Sequence, residues 1–549
     1  MFYVPALALI ITGIIIYLRY QYRKRKKQRL EAIRKEWGCP KTTDFAFGRI
    51  EKYDLLTSDH SHSLSPQTLN DIDFQELFCF LDRTTSKTGQ QYFYSKLKHP
   101  VASTESLSTF NSLVHFFSAQ QPVREAAQEE LHHLSHRNAY FITSLLQNIS
   151  LKKPGWLKYL VASPILVAAL LVASIYSPGL LILLLLPAGL NMILHYWNKS
   201  RSAHIIHSFP QLIRLIQVTR ELCRIHPSLK DDAAEKSINA LKYFQSKSIL
   251  LQAGSDEGLK DELSNVFTYF IELTKAIFLI EVFTFYHLLR EVEVKKNSIR
   301  VLFVYIGNID SAISVASLRA GSSTCEPDLT HSPKTISAKN ICHPLITNCV
   351  ANDLNIRTKG ILITGSNMSG KTTFLRTVII NSILAQTIFT CFADVFQSPV
   401  LKQFSSIRID DSLMEAKSYY LEEVTSIHSL VRETESPAHN LFVLDEVFKG
   451  TNTVERIAAA KAILSFLNRG NNIVIVSTHD IELADLLKEE YDLFYFSESI
   501  EQKELYFDHK LKTGRLKTRN ALKILELYGF PEEIIREANS LSRSDIRNT

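Results

Sequence analysis

Residues 365–373 read Gly-Ser-Asn-Met-Ser-Gly-Lys-Thr-Thr, a complete G-x-x-x-x-G-K-[ST] phosphate loop placed directly after the apolar run Ile361-Leu362-Ile363. This motif requires a strand, a tight loop and the start of a helix in succession, so it commits the C-terminal part of the chain to an α/β arrangement. Gly365 and Gly370 let the backbone curl until its N–H groups face phosphate oxygens. The loop residues Gly365, Ser366, Asn367, Met368, Ser369, Gly370, Lys371, Thr372 and Thr373 are therefore the expected contacts of a nucleoside triphosphate. Lys371 is expected to reach the β- and γ-phosphates and the Thr372 hydroxyl to ligate Mg²⁺, with the following helix adding the positive end of its dipole.

Downstream, Leu441-Phe442-Val443-Leu444 is an apolar strand that ends in Asp445-Glu446. In a nucleotide-binding sheet this places Asp445 to hold Mg²⁺ and Glu446 to orient or deprotonate the attacking water. A third strand, Ile473–Val476, leads into Ser477-Thr478-His479-Asp480, where a histidine at the strand end can sense the γ-phosphate or polarise the water. From about Ser337 short β-rich runs alternate with helices. By contrast, residues 69–151 and 202–320 carry apolar residues at helical spacings of three and four. The expected fold class is an all-helical part joined to a C-terminal α/β ATPase domain, α+α/β in total, with transmembrane helices.

The formal net charge of +6 becomes informative once it is located. Arg19, Arg23, Lys24, Arg25, Lys26, Lys27 and Arg29 supply +7, so the rest of the chain sums to −1 (6 − 7) and shows no overall basicity for nucleic acid. The basic run reads instead as the cytoplasmic flank of an apolar segment, Phe2–Leu18, long enough for a thin bilayer core. A second apolar region is split by Ser177-Pro178-Gly179 into two expected spans, Tyr159–Tyr176 and Leu180–Trp197, with lysines and an arginine on both outer flanks. Phe267–Leu289 is apolar too, but Glu272, Lys275 and Glu281 mark it as a buried helix of the soluble part. The seven cysteines are scattered without a C-x-x-C pair and read as reduced thiols rather than a disulfide or zinc framework. The expected division is 1–30 membrane anchor, 31–155 helical core, 156–200 membrane hairpin, 201–335 helical core continued, and 336–549 ATPase domain.

Ser418-Tyr419-Tyr420-Leu421-Glu422-Glu423 and Gly450-Thr451-Asn452-Thr453 complete a recognisable set with the motifs above. Together they resemble the ATPase domain of the MutS family of DNA mismatch-repair proteins. Asn367 and Met368 stand in the family's places, while Ser366, Ser369 and Thr372 stand where Pro, Gly and Ser are usual, and Phe448 replaces a usual glycine. Asp82-Arg83-Thr84, Ile309-Asp310-Ser311 and Gly529-Phe530-Pro531 are similar to further family segments. The resemblance implies ATP as the nucleotide and a composite site. Lys371, Thr372, Asp445, Glu446 and His479 come from one subunit, and Ser418 reaches the nucleotide of a homodimer partner. It also implies DNA as a partner. The wedge motif of mismatch readers is matched in letters by Phe74-Gln75-Glu76, but this triplet lies in an amphipathic core segment, and the chain ahead of it is too short for a reader domain. Two functions follow: a membrane-anchored ATPase that engages DNA, or the same switch turned to a membrane or protein partner. A transporter is a weaker third reading, because the Leu-Ser-Gly-Gly-Gln signature is absent.

Overall fold

A computed structural model describes residues 3–56, 62–147, 155–206, 208–252, 262–330, 334–366, 368–408, 419–436, 438–448, 452–501, 504–515, 525 and 528–545. The chain divides into two compact units that interleave in sequence. One comprises Met1–Ser58, Asp82–Ser95 and Leu113–Ala320, the other Asp59–Leu81, Lys96–Ser112 and Gly321–Thr549.

The first unit is helical. Its principal helices are α1 (Tyr3–Glu36), α2 (Gln121–Leu131), α3 (Ala162–Ser174), α4 (Leu180–Ile206), α5 (Glu262–Ile277), α6 (Ile280–Val294) and α7 (Lys296–Gly321). Helix α1 continues through the whole basic run and stops where Gly38 takes φ 83 and Pro40 follows, a residue pair that cannot extend a helix. The run is not only a flank, because Lys26 pairs with Glu129 at 2.8 Å and Arg34 makes two 2.8 Å bonds to the Glu125 carboxylate. That forked contact with Arg34 holds the Glu125 carboxyl down to about 2.

The centre of this unit is a carboxylate cap. Asp310 of α7, fully buried, accepts from Thr85 N at 2.8 Å, Ser86 N at 2.7 Å and Ser86 Oγ at 2.6 Å, so it satisfies the free N–H groups at the start of the helix Lys87–Lys98. Gly89 is required beside it, since a Cβ there would lie 2.1 Å from Asp310 Oδ2. Earlier in the same segment, Asp82 collects Lys41 at 2.8 Å, the Thr84 hydroxyl at 2.6 Å and Gln90 at 2.6 Å. The residues Asp82-Arg83-Thr84 and Ile309-Asp310-Ser311 are thus internal struts of the helical unit.

Of the three expected spans, Phe2–Leu18, Tyr159–Tyr176 and Leu180–Trp197, only the last falls within a helix that is long and apolar enough to cross a membrane among the described residues. Among the described residues two helices are long and apolar enough to cross a membrane, Leu180–Arg201 within α4 and Lys296–Gly321. The second is 78% buried, as the core helix α7 should be. Of the expected spans, Tyr159–Tyr176 shortens to the 13 residues of α3, because Gly155–Lys158 forms a 3-10 turn and the helix ends at Ser174. Phe267–Leu289 is not one helix: Leu279, at φ 51, breaks it into α5 and α6.

The second unit is α/β. Its strands are β1 (Ile336–Ile341), β2 (Asn352–Ile356), β3 (Gly360–Thr364), β4 (Val395–Gln397), β5 (Lys402–Ser406), β6 (Asn440–Asp445), β7 (Ile473–Thr478), β8 (Tyr491–Tyr495), β9 (Glu498–Glu501), β10 (Glu504–Phe507) and β11 (Lys512–Thr513). The main sheet has the order β11-β8-β3-β7-β6-β5, parallel except for β11. Strands β3 and β7 are buried at every position, as a parallel sheet covered on both faces demands. Helices α8 (Lys371–Thr387), α9 (Tyr419–Glu433), α10 (Thr453–Leu467), α11 (Ile481–Leu487) and α12 (Glu532–Asp545) belong to this unit. A piece of the N-terminal sequence completes it. Asp71, fully buried, accepts from Ser405 Oγ at 2.6 Å, Ile407 N at 3.0 Å and Arg408 N at 2.8 Å, which ties residues 66–71 to the end of β5. Phe74 is buried in the adjoining short helix Phe74–Leu81.

Candidate functional site

Parallel strands deliver their C-terminal ends to one edge, and the register decides which residues meet there. Thr364 lies beside Thr478, and Asp445 beside Ser477. This brings the phosphate loop after β3, the acids ending β6 and the histidine after β7 to one rim, the usual ligand side of such sheets.

Gly365 and Gly370 have φ of 150 and 112, and Gly370 serves as the N-cap of α8. Lys371 is buried under the loop, its Nζ donating to the carbonyls of Gly365 at 2.7 Å and Ser366 at 2.8 Å. The two serines that depart from the family pattern have structural work. Ser369 Oγ donates to Ser366 O at 2.7 Å, and Ser366 Oγ donates to Glu498 Oε2 at 2.6 Å, so the loop is fastened from within and to β9. Met368, at φ 71, is 81% exposed and projects from the loop. Thr373 lines the cavity described below. Asn367 and Ser418 lie outside the described residues, as do Gly450 and Thr451.

Thr372 Oγ1 donates to Asp445 Oδ2 at 2.6 Å, and the Ser477 hydroxyl donates to the other carboxylate oxygen of Asp445. A hydroxyl and a carboxylate converging on one point are oxygen donors of the kind a hard divalent cation takes, so the residues fit Mg²⁺. Glu446 has left-handed backbone at φ 53, its N–H bonded to Ser477 O at 3.0 Å. Its carboxylate lies 2.5 Å from His479 Nε2, so acid and histidine form a pair across the ends of β6 and β7. Next to them Arg456 of α10 grips Asp480 through two bonds of 3.0 and 2.8 Å. This contact with Asp480 raises the guanidinium further above its ordinary range.

Phe448 stands at φ 64, which explains why glycine is usual there. The strain is offset by burial of its ring in the core and by a bond from its N–H to the buried carboxylate of Glu423 on α9.

Sequence reading missed the wall opposite the loop. A cavity of about 410 Å³ borders Gly370, Lys371 and Thr372 and is also lined by Ile341, Cys349, Phe496 and His509. His509 Nδ1 lies 3.1 Å from Ser369 O, and Asn352 fixes that segment by donating to His509 O at 3.0 Å and accepting from Leu511 N at 2.7 Å. Nothing in the local sequence of His509 signals a site. Ser477 was likewise read only as part of a strand end. All seven cysteines are free; burial, with neighbouring Cys349, pushes the Cys342 thiol up to about 11, so it is an inert thiol beside this cavity.

Comparison with known proteins gives the same direction. Residues 361–544 match the family model MutS domain V. The chain is 26% identical over 338 residues to the DNA mismatch repair protein MutS of Fusobacterium nucleatum, covering 52% of this chain and 37% of that protein. It is 32% identical over 250 residues to the same-named protein of Pseudothermotoga lettingae (43% of this chain, 30% of that protein), and 28% identical over 203 residues to that of Thermus thermophilus (36% and 25%). The chain thus spans only about a third of the length of these curated relatives. The chain is thus similar to MutS proteins, and over residues 361–544 to their domain V.

Proposed function

We propose that this protein is a MutS-type ATPase switch, binding ATP with Mg²⁺ and hydrolysing it as a homodimer held at a membrane, with its α/β unit in the cytoplasm. The observation that carries the reading is the rim where Thr372, Asp445 and Ser477 meet beside the Glu446–His479 pair. Lys371 and the loop N–H groups would hold the phosphates, and Thr372 and Asp445 would hold Mg²⁺, which supplies charge neutralisation at the phosphates. Glu446 would take the proton of the attacking water, while His479, hydrogen-bonded to it, orients the carboxylate. Ser418, from the partner subunit's chain in the family arrangement, would complete the site.

The relatives are named for DNA mismatch repair, so the first load we propose is mismatched or damaged DNA. A second reading, the same switch moving a membrane or protein partner, is favoured by burial of Phe74, which leaves Phe74-Gln75-Glu76 unable to act as a wedge, and by the exposed apolar hairpin α3–α4. Lys371→Ala should abolish ATP binding, and Glu446→Gln should retain ATP while stopping its turnover. Anisotropy titration of the detergent-solubilised chain with homoduplex, mismatched and branched DNA at two salt concentrations separates the loads. Binding no tighter than to a random polyanion removes the DNA reading.

A further inference from the structure

The hairpin α3–α4 carries no Asp, Glu, Lys or Arg from Tyr159 to Asn198. Its outward faces are apolar and exposed: Leu166, Leu171 and Ile175 on one arm and its end, Ile182, Leu185 and Leu186 on the other. A surface of this kind in water is a large cost, and hydrocarbon removes it.

How deep it enters is set by a polar fastening. Asn191, fully buried, accepts from Ser163 Oγ at 2.6 Å and donates to Ile277 O at 2.7 Å, joining both arms to the end of α5. Below this point α4 turns a buried polar face inward through His195 and Asn198, and Lys199 meets Glu272 at 3.3 Å. Both of those ionic side chains keep contact with solvent, at 41% and 28% exposure, which hydrocarbon does not permit. Beyond the fastening each arm runs the same distance, 174 − 163 = 11 residues in α3 and 191 − 180 = 11 in α4. At 1.5 Å per residue this is roughly 17 Å, close to half of a hydrocarbon core of about 30 Å. Helix α4 alone has the length to cross, but a hairpin reaches only as far as its shorter arm, and α3 has 13 residues.

Two further features suit a tip that stays in lipid. The turn pairs most of its own backbone N–H groups, with Ser177 N bonded to Ala173 O at 3.1 Å, Leu180 N to Ser177 O at 3.1 Å and Leu181 N to Pro178 O at 3.1 Å. Each such pairing lowers the cost of placing the turn in hydrocarbon. At the other end Lys158 lies over the Tyr159 ring at 4.9 Å and Arg201 over the Trp197 ring at 5.4 Å, an aromatic and basic collar of the kind that sits among anionic headgroups.

We propose that the α3–α4 hairpin is a one-leaflet wedge that enters an anionic bilayer from the side of the α/β unit and does not cross it. This rests on the membrane reading above and narrows it, replacing two of the three expected spans by a re-entrant insertion.

The test uses the full chain, Cys39→Ser and Ser177→Cys, reconstituted in phosphatidylcholine–phosphatidylglycerol vesicles, with a membrane-impermeant maleimide applied outside or loaded inside. Protease cleavage reports which face carries the α/β unit, and labelling in detergent with unchanged ATP turnover reports a folded protein. The wedge predicts that position 177 is labelled at least tenfold less than in detergent from either face, and that Ile182→Cys behaves alike. Labelling from the face opposite the α/β unit overturns the wedge and leaves a crossing hairpin. Labelling from the same face as the α/β unit shows the hairpin outside the bilayer and removes the membrane reading of this segment as well.

Discussion

Two aspartates show how the same side chain is used in opposite ways in the two units. Asp310 is closed: two backbone N–H groups and a hydroxyl of neighbouring Ser86 fill its oxygens, and Gly89 leaves no space beside it. Asp445 is open: its partners are the hydroxyls of Thr372 and Ser477, groups that rotate freely and can turn to another ligand, at a rim bordered by Glu446 and His479. A carboxylate bound by backbone is committed to the fold, whereas one bound by hydroxyls is available to chemistry.

The largest effect should fall on the open side. Glu446→Gln removes the proposed proton acceptor, and single-turnover hydrolysis should drop by at least ~10²-fold with the melting temperature nearly unchanged. A rate within a few fold of the parent would break the comparison at its functional end. On the closed side, Gly89→Ala drives a Cβ into Asp310 and should destabilise the protein by about 3 kcal/mol, read as a lower denaturant midpoint. Asp310→Ala frees one buried and one half-buried N–H group, and about 2 kcal/mol should be lost in the same assay while ATP binding to the remaining folded protein persists.

A further effect is a pH slope. Burial pushes the Asp310 carboxyl up from 3.8 to about 6, so between those values the folded protein holds a proton that the unfolded chain has released. Its contribution to stability is present at and below pH 3.8 and is lost as pH rises through 6. Asp310→Asn should therefore flatten the dependence of the denaturation midpoint on pH between about 4 and 6, and an unaltered slope would show that the donors around Asp310 outweigh its burial.

The chemical letters of the site were legible because each motif is local: a phosphate loop must follow its strand immediately, and Asp445-Glu446 and His479 are carried by strand ends. Their mutual contacts were not. That Ser477 serves Asp445, that Glu498 holds Ser366, and that His509 walls the cavity depend on residues 32 to 140 positions apart brought together by sheet register. Asp71 escaped as a part of the α/β unit for the same reason, since its partners at Ser405–Arg408 lie more than 330 positions away. In the hairpin one expected span keeps its length, Leu180–Arg201 within α4, and the other shortens to α3. Apolar composition alone suggested two spans, and composition cannot register that residues 155–161 leave the helix or that Asn191 is bonded to Ile277.

The sequence by itself determined the nucleotide loop, the acid pair, the helical and α/β character of the two parts and the uncharged hairpin, because these follow from spacing and polarity along the chain. Only the tertiary structure decided which carboxylates are closed and which are open, how far the hairpin projects and what faces the loop. Those properties are set by long-range register and burial, which bring distant residues within hydrogen-bonding distance and leave no trace in local pattern.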